Sequence, residues 1–597
     1  MRQHILATAL AAAVTALAYG QNLNPTVEVT NAYEGGASSI NKPAQKMAVP
    51  DTVTRFNLDF DYSVFEKPYR GAYEFSPYYV ELKPAPKVST TGKFYLRAGA
   101  GFTLHPELDM VWSPVRKEKF RLNVYATHHS YFGRYHRFLL TDPVEHVSSF
   151  NKSGDKMKGY LADTKAGIDG TLGWEGGEAT LDIGYKHRMA NIAYHDQKMG
   201  GVEAKGRVRS LPSDEPHFLY DAAFEYHFLG SGLVHTIPMF SFTREVAESG
   251  FRFDGTFGPV LDADRRILVD LDVDLARYMR DKNGYTGLLS ATPKYQFNLD
   301  RWRMSLGVKV AAIIYSDDFD LFEEQYRHKS GTVFPDVHVD FHLVDDRLIL
   351  QTSATGGDKF NSFSSRFLSR PFTYEGGFGH SLERVRAMVG ARGNIASRFR
   401  YDLQAGYARW AHAPIDGYRV VTPVPATGAP AFDVDGLLPA QYDRAFNLLF
   451  AELDYGWKSE SVTVDGRFAY RWTNLNRGSG TDPAKAAAAM YSFAPAAFTG
   501  YVRPAYNWGE RFKAGMNLEW STARKNVTSV TLPGQEPYDL VTRIPGWVDL
   551  GLFAEYRFTH RLGFWAKGGN LLNQTVQRIP LVAEAGMYFT AGAVLNF

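Results

Sequence analysis

The chain has 597 residues, and its 66 Lys and Arg nearly balance its 64 Asp and Glu, so the overall charge gives no signal for nucleic-acid binding. The sequence has no cysteine, which excludes disulfides, thiolate metal ligands, a cysteine nucleophile and a lipoprotein anchor. Aromatic residues make up 14% of the chain, a high share, and Tyr and Trp favour membrane interfaces.

Residues 1–20 have the pattern of an export signal. Arg2 supplies a positive charge, Ile5 to Ala18 is apolar, and Ala18-Tyr19-Gly20 is a small-x-small cleavage site. The alternative is a membrane helix, but an apolar run of about 14 residues is short for spanning a bilayer. We therefore predict a cleaved signal peptide, a mature chain that begins at Gln21, and no spanning helix in that mature chain.

Residues 21–91 are polar and interrupted by proline, as at Asn24-Pro25 and Lys42-Pro43. They lack the apolar content for a folded core, and we predict a periplasmic or lumenal extension.

From residue 92 to 597 the chain alternates apolar and polar residues, which predicts strands with two different faces. Runs of about 9–14 residues suit a tilted strand that crosses a membrane, whereas strands of soluble β-proteins average about 5–6 residues. The clearest alternating runs are 218–228, 267–275, 302–314, 337–343 and 399–407.

The connections between these runs are of two kinds. Some are short, such as 299–301 and 345–346, and others are long and rich in Pro, Gly and polar residues. The predicted long connections are 132–156, 229–246, 317–332, 357–380, 412–441, 474–496, 526–543 and 572–584. Short periplasmic turns and long extracellular loops are the pattern of an outer-membrane barrel. With a first strand at 92–103, a last strand at 585–597 and 229–246 as an outer loop, the sequence predicts an all-β, transmembrane antiparallel β-barrel of about 22 strands. Barrels of 20 or 24 strands are the alternatives, because the count changes if 229–246 spans the membrane.

The C-terminal end carries the most specific motifs. Residues 544–550 read Ile-Pro-Gly-Trp-Val-Asp-Leu, residues 569–574 read Gly-Asn-Leu-Leu-Asn-Gln, and the chain ends in an aromatic residue. This order resembles the last three strands of TonB-dependent receptors. The resemblance implies that Thr590, Gly592, Leu595 and Phe597 form the signal read by the barrel-assembly machinery during insertion. It also implies location in the outer membrane of a Gram-negative bacterium, in contact with outer-membrane lipid.

The front of the chain departs from that family, whose members carry a folded plug domain before the barrel. Residues 21–91 cannot fold as such a plug, so the chain resembles a plug-less TonB-dependent receptor-like barrel. Thr26 to Thr30 could serve as a segment that pairs with TonB, but an ordinary extended tail is the favoured interpretation.

Three sets of polar residues are candidates for binding. Asp270, Asp272 and Asp274 could bind a cation together with oxygens of an outer loop, and His338, Asp340 and His342 could hold zinc or copper. A solvated lumen wall is the favoured interpretation of the aspartates. The second set is also disfavoured as a metal site, because residues i and i+4 of a strand lie about 13 Å apart, too far for one ion to bridge two of them. Five arginines of two neighbouring strands could form a lumenal basic wall that steers anions or holds Asp59, Asp61 and Glu66 of the extension, although a lumen of mixed charge is the favoured interpretation. They are Arg384, Arg386, Arg392, Arg398 and Arg400.

The function predicted from these features is transport or permeation of solutes across the outer membrane. The alternative is a structural or accessory subunit of a multi-protein outer-membrane assembly, with an outer-membrane or periplasmic protein partner. No catalytic motif, metal site or cofactor site is predicted, so an enzyme is not expected.

Overall fold

A computed structural model describes residues 93–597, apart from residues 103, 142–146, 193–194, 212–217, 238–239, 281–282, 317–330, 345, 366–378, 397, 421–430, 434–436, 476–495, 510, 531–537, 579–582 and 585. The predicted signal peptide and extension therefore lie outside the described residues. Within them the strands are β1 (Phe94–Phe102), β2 (Glu107–Arg116), β3 (Phe120–Thr141), β4 (Val147–Trp174), β5 (Gly177–Ile192), β6 (His195–Ser210), β7 (Phe218–Ile237), β8 (Phe240–Pro259), β9 (Arg265–Arg280), β10 (Gly284–Leu299), β11 (Trp302–Tyr315), β12 (Thr332–Val344), β13 (Leu348–Asn361), β14 (Gly379–Ile395), β15 (Phe399–Val420), β16 (Ala431–Asp433), β17 (Leu437–Lys458), β18 (Val462–Leu475), β19 (Phe498–Trp508), β20 (Phe512–Ser521), β21 (Arg524–Val530), β22 (Tyr538–Ile544), β23 (Trp547–Arg557), β24 (Leu562–Gly569) and β25 (Tyr588–Asn596).

The wall of the molecule is a closed antiparallel barrel of 22 strands, as predicted. Each wall strand pairs with the next along the chain, and β1 pairs with β25 to close the ring. β16, β21 and β22 belong to outer connections and lie outside the wall. No helix among the described residues is both long enough and apolar enough to cross a membrane.

The two faces of the wall follow the alternation in the sequence. On β9, Leu271 is 38% exposed on the outer face, while Asp270 and Asp272 point inward and contact Lys294 and Ser290 of β10. On β11, Leu306 and Val308 are exposed outside. The apolar outer face can contact lipid, and the hydrogen-bonded closed wall leaves no free sheet edge in the bilayer. This architecture is that of an outer-membrane barrel.

The short periplasmic turns are confirmed. Asp300, Asp346 and Ala396 each take a positive φ at such a turn, which lets the chain reverse within a few residues. Two of the long outer connections are more regular than predicted. Residues 229–246 are not an irregular loop, because β7 and β8 continue through them as a hairpin, and β3 and β4 do the same for 132–156. Both remain outer connections, so the strand count is unaffected.

Three outer connections join in one sheet above the barrel. The β21–β22 hairpin, which connects β20 to β23, pairs in parallel with β15 at Gly417–Arg419 and with β4 at Val147–Ser148. β16 adds to β3 at Leu139–Thr141. Because equal numbers of wall strands separate β4 from β15 in either direction round the barrel, this cross-mouth sheet links opposite sides of the outer opening.

Candidate functional site

The lumen is the candidate functional site, and its wall is lined with charged side chains that are paired across neighbouring strands. Arg467 donates two hydrogen bonds to the Asp454 carboxylate, at 2.6 and 2.7 Å. Opposite charges also pair across neighbouring strands in Lys186–Glu203, Arg207–Asp221, Arg209–Glu178, Lys294–Asp270 and Arg471–Glu452. Lys309 of β11 lies 3.6 Å from Asp272 of β9, across the intervening strand β10. Opposite charges that face each other across strands stabilise the sheet and leave a polar surface with little local net charge.

The five arginines of the predicted basic wall are not equivalent in the structure. Arg386 contacts Glu383 at 2.7 Å, Arg392 contacts Asp340 at 2.7 Å and Arg400 contacts Asp465 at 2.6 Å. Arg384 is exposed where a β-bulge shifts the register between β14 and β15, and Arg398 is exposed in the turn between them. Three of the arginines thus have a carboxylate partner, and Arg384 and Arg398 have no ion-pair partner among the residues that the structure describes.

The members of each candidate metal set contact different side chains. Asp270 and Asp272 bind Lys294 and Ser290 on the next strand. His338 contacts Asp336 at 2.8 Å, while Asp340 accepts a hydrogen bond from Arg392. Within the part of the chain that the structure describes, no group of three or more such residues is placed to hold a metal ion.

One outer connection docks on the inside of the wall. After β13, Phe363 is buried against Met199, Leu229 and Tyr278 on strands β6, β7 and β9. Next to it, Ser364 donates a hydrogen bond of 2.5 Å to Glu248 of β8. The connection therefore reaches several strands along the lumenal wall and narrows the lumen.

The polar part of this contact has the residue types of a catalytic triad but not its geometry. His227 Nε2 lies 2.7 Å from Glu248 and 3.3 Å from Ser364 Oγ. In a triad the two imidazole nitrogens contact different partners, with the acid on Nδ1 and the hydroxyl on Nε2. Here one nitrogen meets both and the carboxylate binds the serine directly, so the trio anchors the connection.

A second outer connection, between β24 and β25, is held by a buried arginine. Arg578 donates to Glu519 at 2.8 Å and Asp549 at 3.0 Å on the wall and also contacts Glu584 in its own segment. Its guanidinium lies 5.0 Å from the centre of the Trp547 ring. One cation thus faces three carboxyl groups. Burial raises the pKa of Glu584 to about 7, against the influence of Arg578, while Asp549 and Glu519 add to the rise.

The residues of the predicted assembly signal lie at the closure of the barrel. Thr590 and Gly592 pair with Gly101 and Gly99 of β1, and Leu595 pairs with Leu96. Phe597 exchanges two backbone hydrogen bonds with Phe94, and its side chain is 53% exposed. These residues thus join the last strand to the first.

Both inward contacts were missed from the sequence. Residues 362–365 match no known motif. The wall carboxylates that contact Arg578 lie 59 and 29 residues away in the sequence, at Glu519 and Asp549. A weak signal was present in residues 572–584, where Arg578 and Glu584 are the only charged residues in the sequence of the connection.

No protein-family model matches the chain, and no curated protein matches it in sequence. Solved structures do match its fold. The FrpB iron transporter from Neisseria meningitidis superposes with a TM-score of 0.59 at 10% identity, over 85% of this chain and 82% of that one. The copper transporter OprC gives 0.58 at 12% identity, over 84% and 80%. The ferric enterobactin receptor PfeA from Pseudomonas aeruginosa gives 0.54 at 10% identity, over 85% and 80%. The chain therefore has the 22-stranded outer-membrane barrel fold of TonB-dependent receptors.

Proposed function

We propose that the protein carries solutes across the outer membrane, by transport or permeation through its lumen. The observation that carries this proposal is the lumenal wall itself. A closed 22-strand barrel encloses a wide interior, and here the described interior surface is polar with many of its charges paired. Such a surface suits water-soluble cargo without strong selection for one sign of charge.

The proposal includes a lumen closed at rest. Three parts contribute to the closure: the cross-mouth sheet, the two docked connections and residues 21–91. Arg384 and Arg398 are the members of the predicted basic wall that remain open to acidic residues of the extension. A non-enzymatic role accords with the structural neighbours, which are two transporters and a receptor.

The test is conductance in planar bilayers. The mature full-length chain and a variant that lacks residues 23–88 would be inserted in the same lipid at matched salt. We expect both forms to fold, and the deletion to raise single-channel conductance sharply, because a barrel of this size is open unless its lumen is filled. Raised salt should have a similar but weaker effect on the full-length chain, because salt screens contacts between exposed charges.

Unchanged and negligible conductance in both forms would argue against permeation. Purification of the native protein in gentle detergent would then decide the alternative. Stoichiometric partners would support an accessory subunit of an outer-membrane assembly, whereas a lone barrel would not.

A further inference from the structure

The outer ends of β3 and β4 carry basic side chains that face each other directly. Arg134 pairs with Lys158, and His136 pairs with Lys156, in the antiparallel register. Like charges opposite each other in a sheet are destabilising unless an anion lies between them. Arg134, Lys156 and Lys158 are exposed.

These four side chains lie on the outside of the barrel. Tyr131 and Tyr135, which alternate with them on β3, are buried together on the inner face, and Tyr131 also packs near Tyr588 of β25. Since neighbouring residues of a strand point to opposite faces, Arg134 and His136 point away from the lumen.

Aromatic residues on the same face of the wall indicate where the cluster lies relative to the membrane. Phe132 and Tyr160 are paired, with ring centroids 5.8 Å apart, and Phe132 and Phe120 are both exposed. From Phe120 to Phe132 the strand is about 40 Å long and, at a tilt of about 40°, rises roughly 30 Å. That distance is close to the apolar band of about 25 Å that aromatic girdles bound in such barrels. The basic cluster is therefore at the level of the outer-leaflet headgroups.

Within the described part of the chain, the arginine and the two lysines of this cluster differ from the paired cations of the lumen. Among the described residues, no ion pair is formed by Arg134, Lys156 or Lys158, whereas the lumenal Lys186, Arg207 and Arg467 each contact a carboxylate.

We propose that this cluster binds the phosphate groups of an outer-leaflet glycolipid. An arginine and two lysines that project from adjacent strands provide several N–H donors to phosphate oxygens, and Arg binds phosphate with two parallel hydrogen bonds. The apolar surface below, formed by Phe102, Leu104 and Phe132, is exposed and suits the acyl chains of the same molecule. Binding here holds a lipid against β3 and β4, whose outer ends pair with β16 and β22 in the cross-mouth sheet, and does not depend on what passes through the lumen.

The test compares lipid binding by the detergent-solubilised full-length protein and its variants in native mass spectrometry. The probe is lipid A that carries both phosphates. The variant Arg134→Gln with Lys158→Gln should bind it about 10-fold or more weakly, because each cation near an anionic headgroup contributes separately. Arg134→Lys should retain most of the binding. The control is Lys117→Gln with Lys119→Gln, which removes two exposed cations from the periplasmic turn before the same strand.

Two further arms identify the ligand. Lipid A treated with phosphatase should bind the native protein as weakly as phosphorylated lipid binds the double variant. Inorganic phosphate at millimolar concentration should displace little of the lipid, and its full displacement by phosphate would indicate a site for the free anion and overturn the lipid assignment. Equal binding by the native protein and the folded double variant would overturn the proposal.

Discussion

The guanidinium of Arg97 lies 3.8 Å from the centre of the Trp565 ring, on the lumenal side of the barrel closure. Arg97 is in β1 and Trp565 in β24, so the contact spans β25, the strand that closes the ring. The absence of a side chain at Gly99 makes room for the indole, because a Cβ there would lie 2.5 Å from the Trp565 ring. A cation over an aromatic ring contributes about 0.5–2 kcal/mol of stability. This contact connects β1 to β24 across the strand that closes the barrel.

The first prediction concerns the last residue at this closure. Deletion of Phe597 should lower the amount of folded barrel in the membrane, because it removes an exposed interfacial ring and the backbone hydrogen bonds with Phe94. Heat-modifiable mobility of isolated outer membranes measures the folded fraction. Phe597→Trp keeps an aromatic ring and should behave like the native chain. Native levels of the truncated form would contradict the expectation.

The second prediction separates the two faces of β9. Leu271→Arg should destabilise the barrel by about 2–4 kcal/mol, the range for a cation on the lipid face near the midplane. Asp272→Arg should be much milder, because that side chain points into the lumen, where it contacts Ser290 and lies 3.6 Å from Lys309. Urea unfolding in lipid vesicles gives both values. Equal effects would mean that the strand faces are assigned incorrectly.

The third prediction concerns the connection after β13. Ser364→Ala should weaken its docking by about 1.5–3 kcal/mol, the range for a hydrogen bond to a charged group. The variant should show larger fluctuations of bilayer current and faster hydrogen exchange at Phe363. Ser365→Ala is the control, because Ser365 is exposed and bonds within its own turn. No difference between the two variants would show that the contact does not restrict the lumen.

The fourth prediction tests the cross-mouth sheet. The chain has no cysteine, so Tyr418→Cys with Thr528→Cys introduces the only two thiols, at paired positions of β15 and β21. In the variant that lacks residues 23–88, oxidation should link the two connections and lower the conductance, and reduction should restore the higher value. The pair Ser529→Cys with Asp539→Cys joins β21 to β22 within one hairpin and should leave conductance unchanged by oxidation.

The fifth prediction follows from Glu584. Its ordinary pKa is 4.5, and burial in the docked connection raises the pKa to about 7. The docked form therefore binds a proton more tightly than the free form, so docking is strongest below pH 4.5 and weakens as pH rises towards 7. Hydrogen exchange of residues 570–578, corrected for intrinsic rates, should be faster at pH 8 than at pH 6. Glu584→Gln should remove this difference, whereas Glu175→Gln in an exposed periplasmic turn should keep it.

The wall could be predicted from the sequence because each strand there has one face in lipid and one in water. This difference between the faces produces the alternation of apolar and polar residues, as at Leu271 and Asp272. The alternation stops where both faces of a strand contact water. Above the membrane, residues 229–237 of β7 lie in a hairpin whose two faces are not distinguished by lipid, so the sequence predicts a loop where the structure has strands.

The contacts inside the lumen could not be predicted for a different reason. The pairing of Arg386 with Glu383 depends on a β-bulge, and the docking of Ser364 on Glu248 joins residues that no local pattern relates. The basic wall of β14 and β15 stays a prediction. Arg386 contacts a carboxylate of its own strand, whereas Arg392 and Arg400 contact carboxylates two wall strands away, on β12 and β18, and no local sequence pattern indicates these contacts.

The parallel pairings of the cross-mouth sheet have a consequence for the order of folding. In the wall, strands pair with sequence neighbours, and such local contacts form early at low entropic cost. Val541 and Val147 pair across most of the length of the chain, and their strands come within reach once β25 has met β1. The outer mouth is therefore covered last, which leaves the lumen accessible to the chain's own N-terminal residues, or to a chaperone, until insertion is complete.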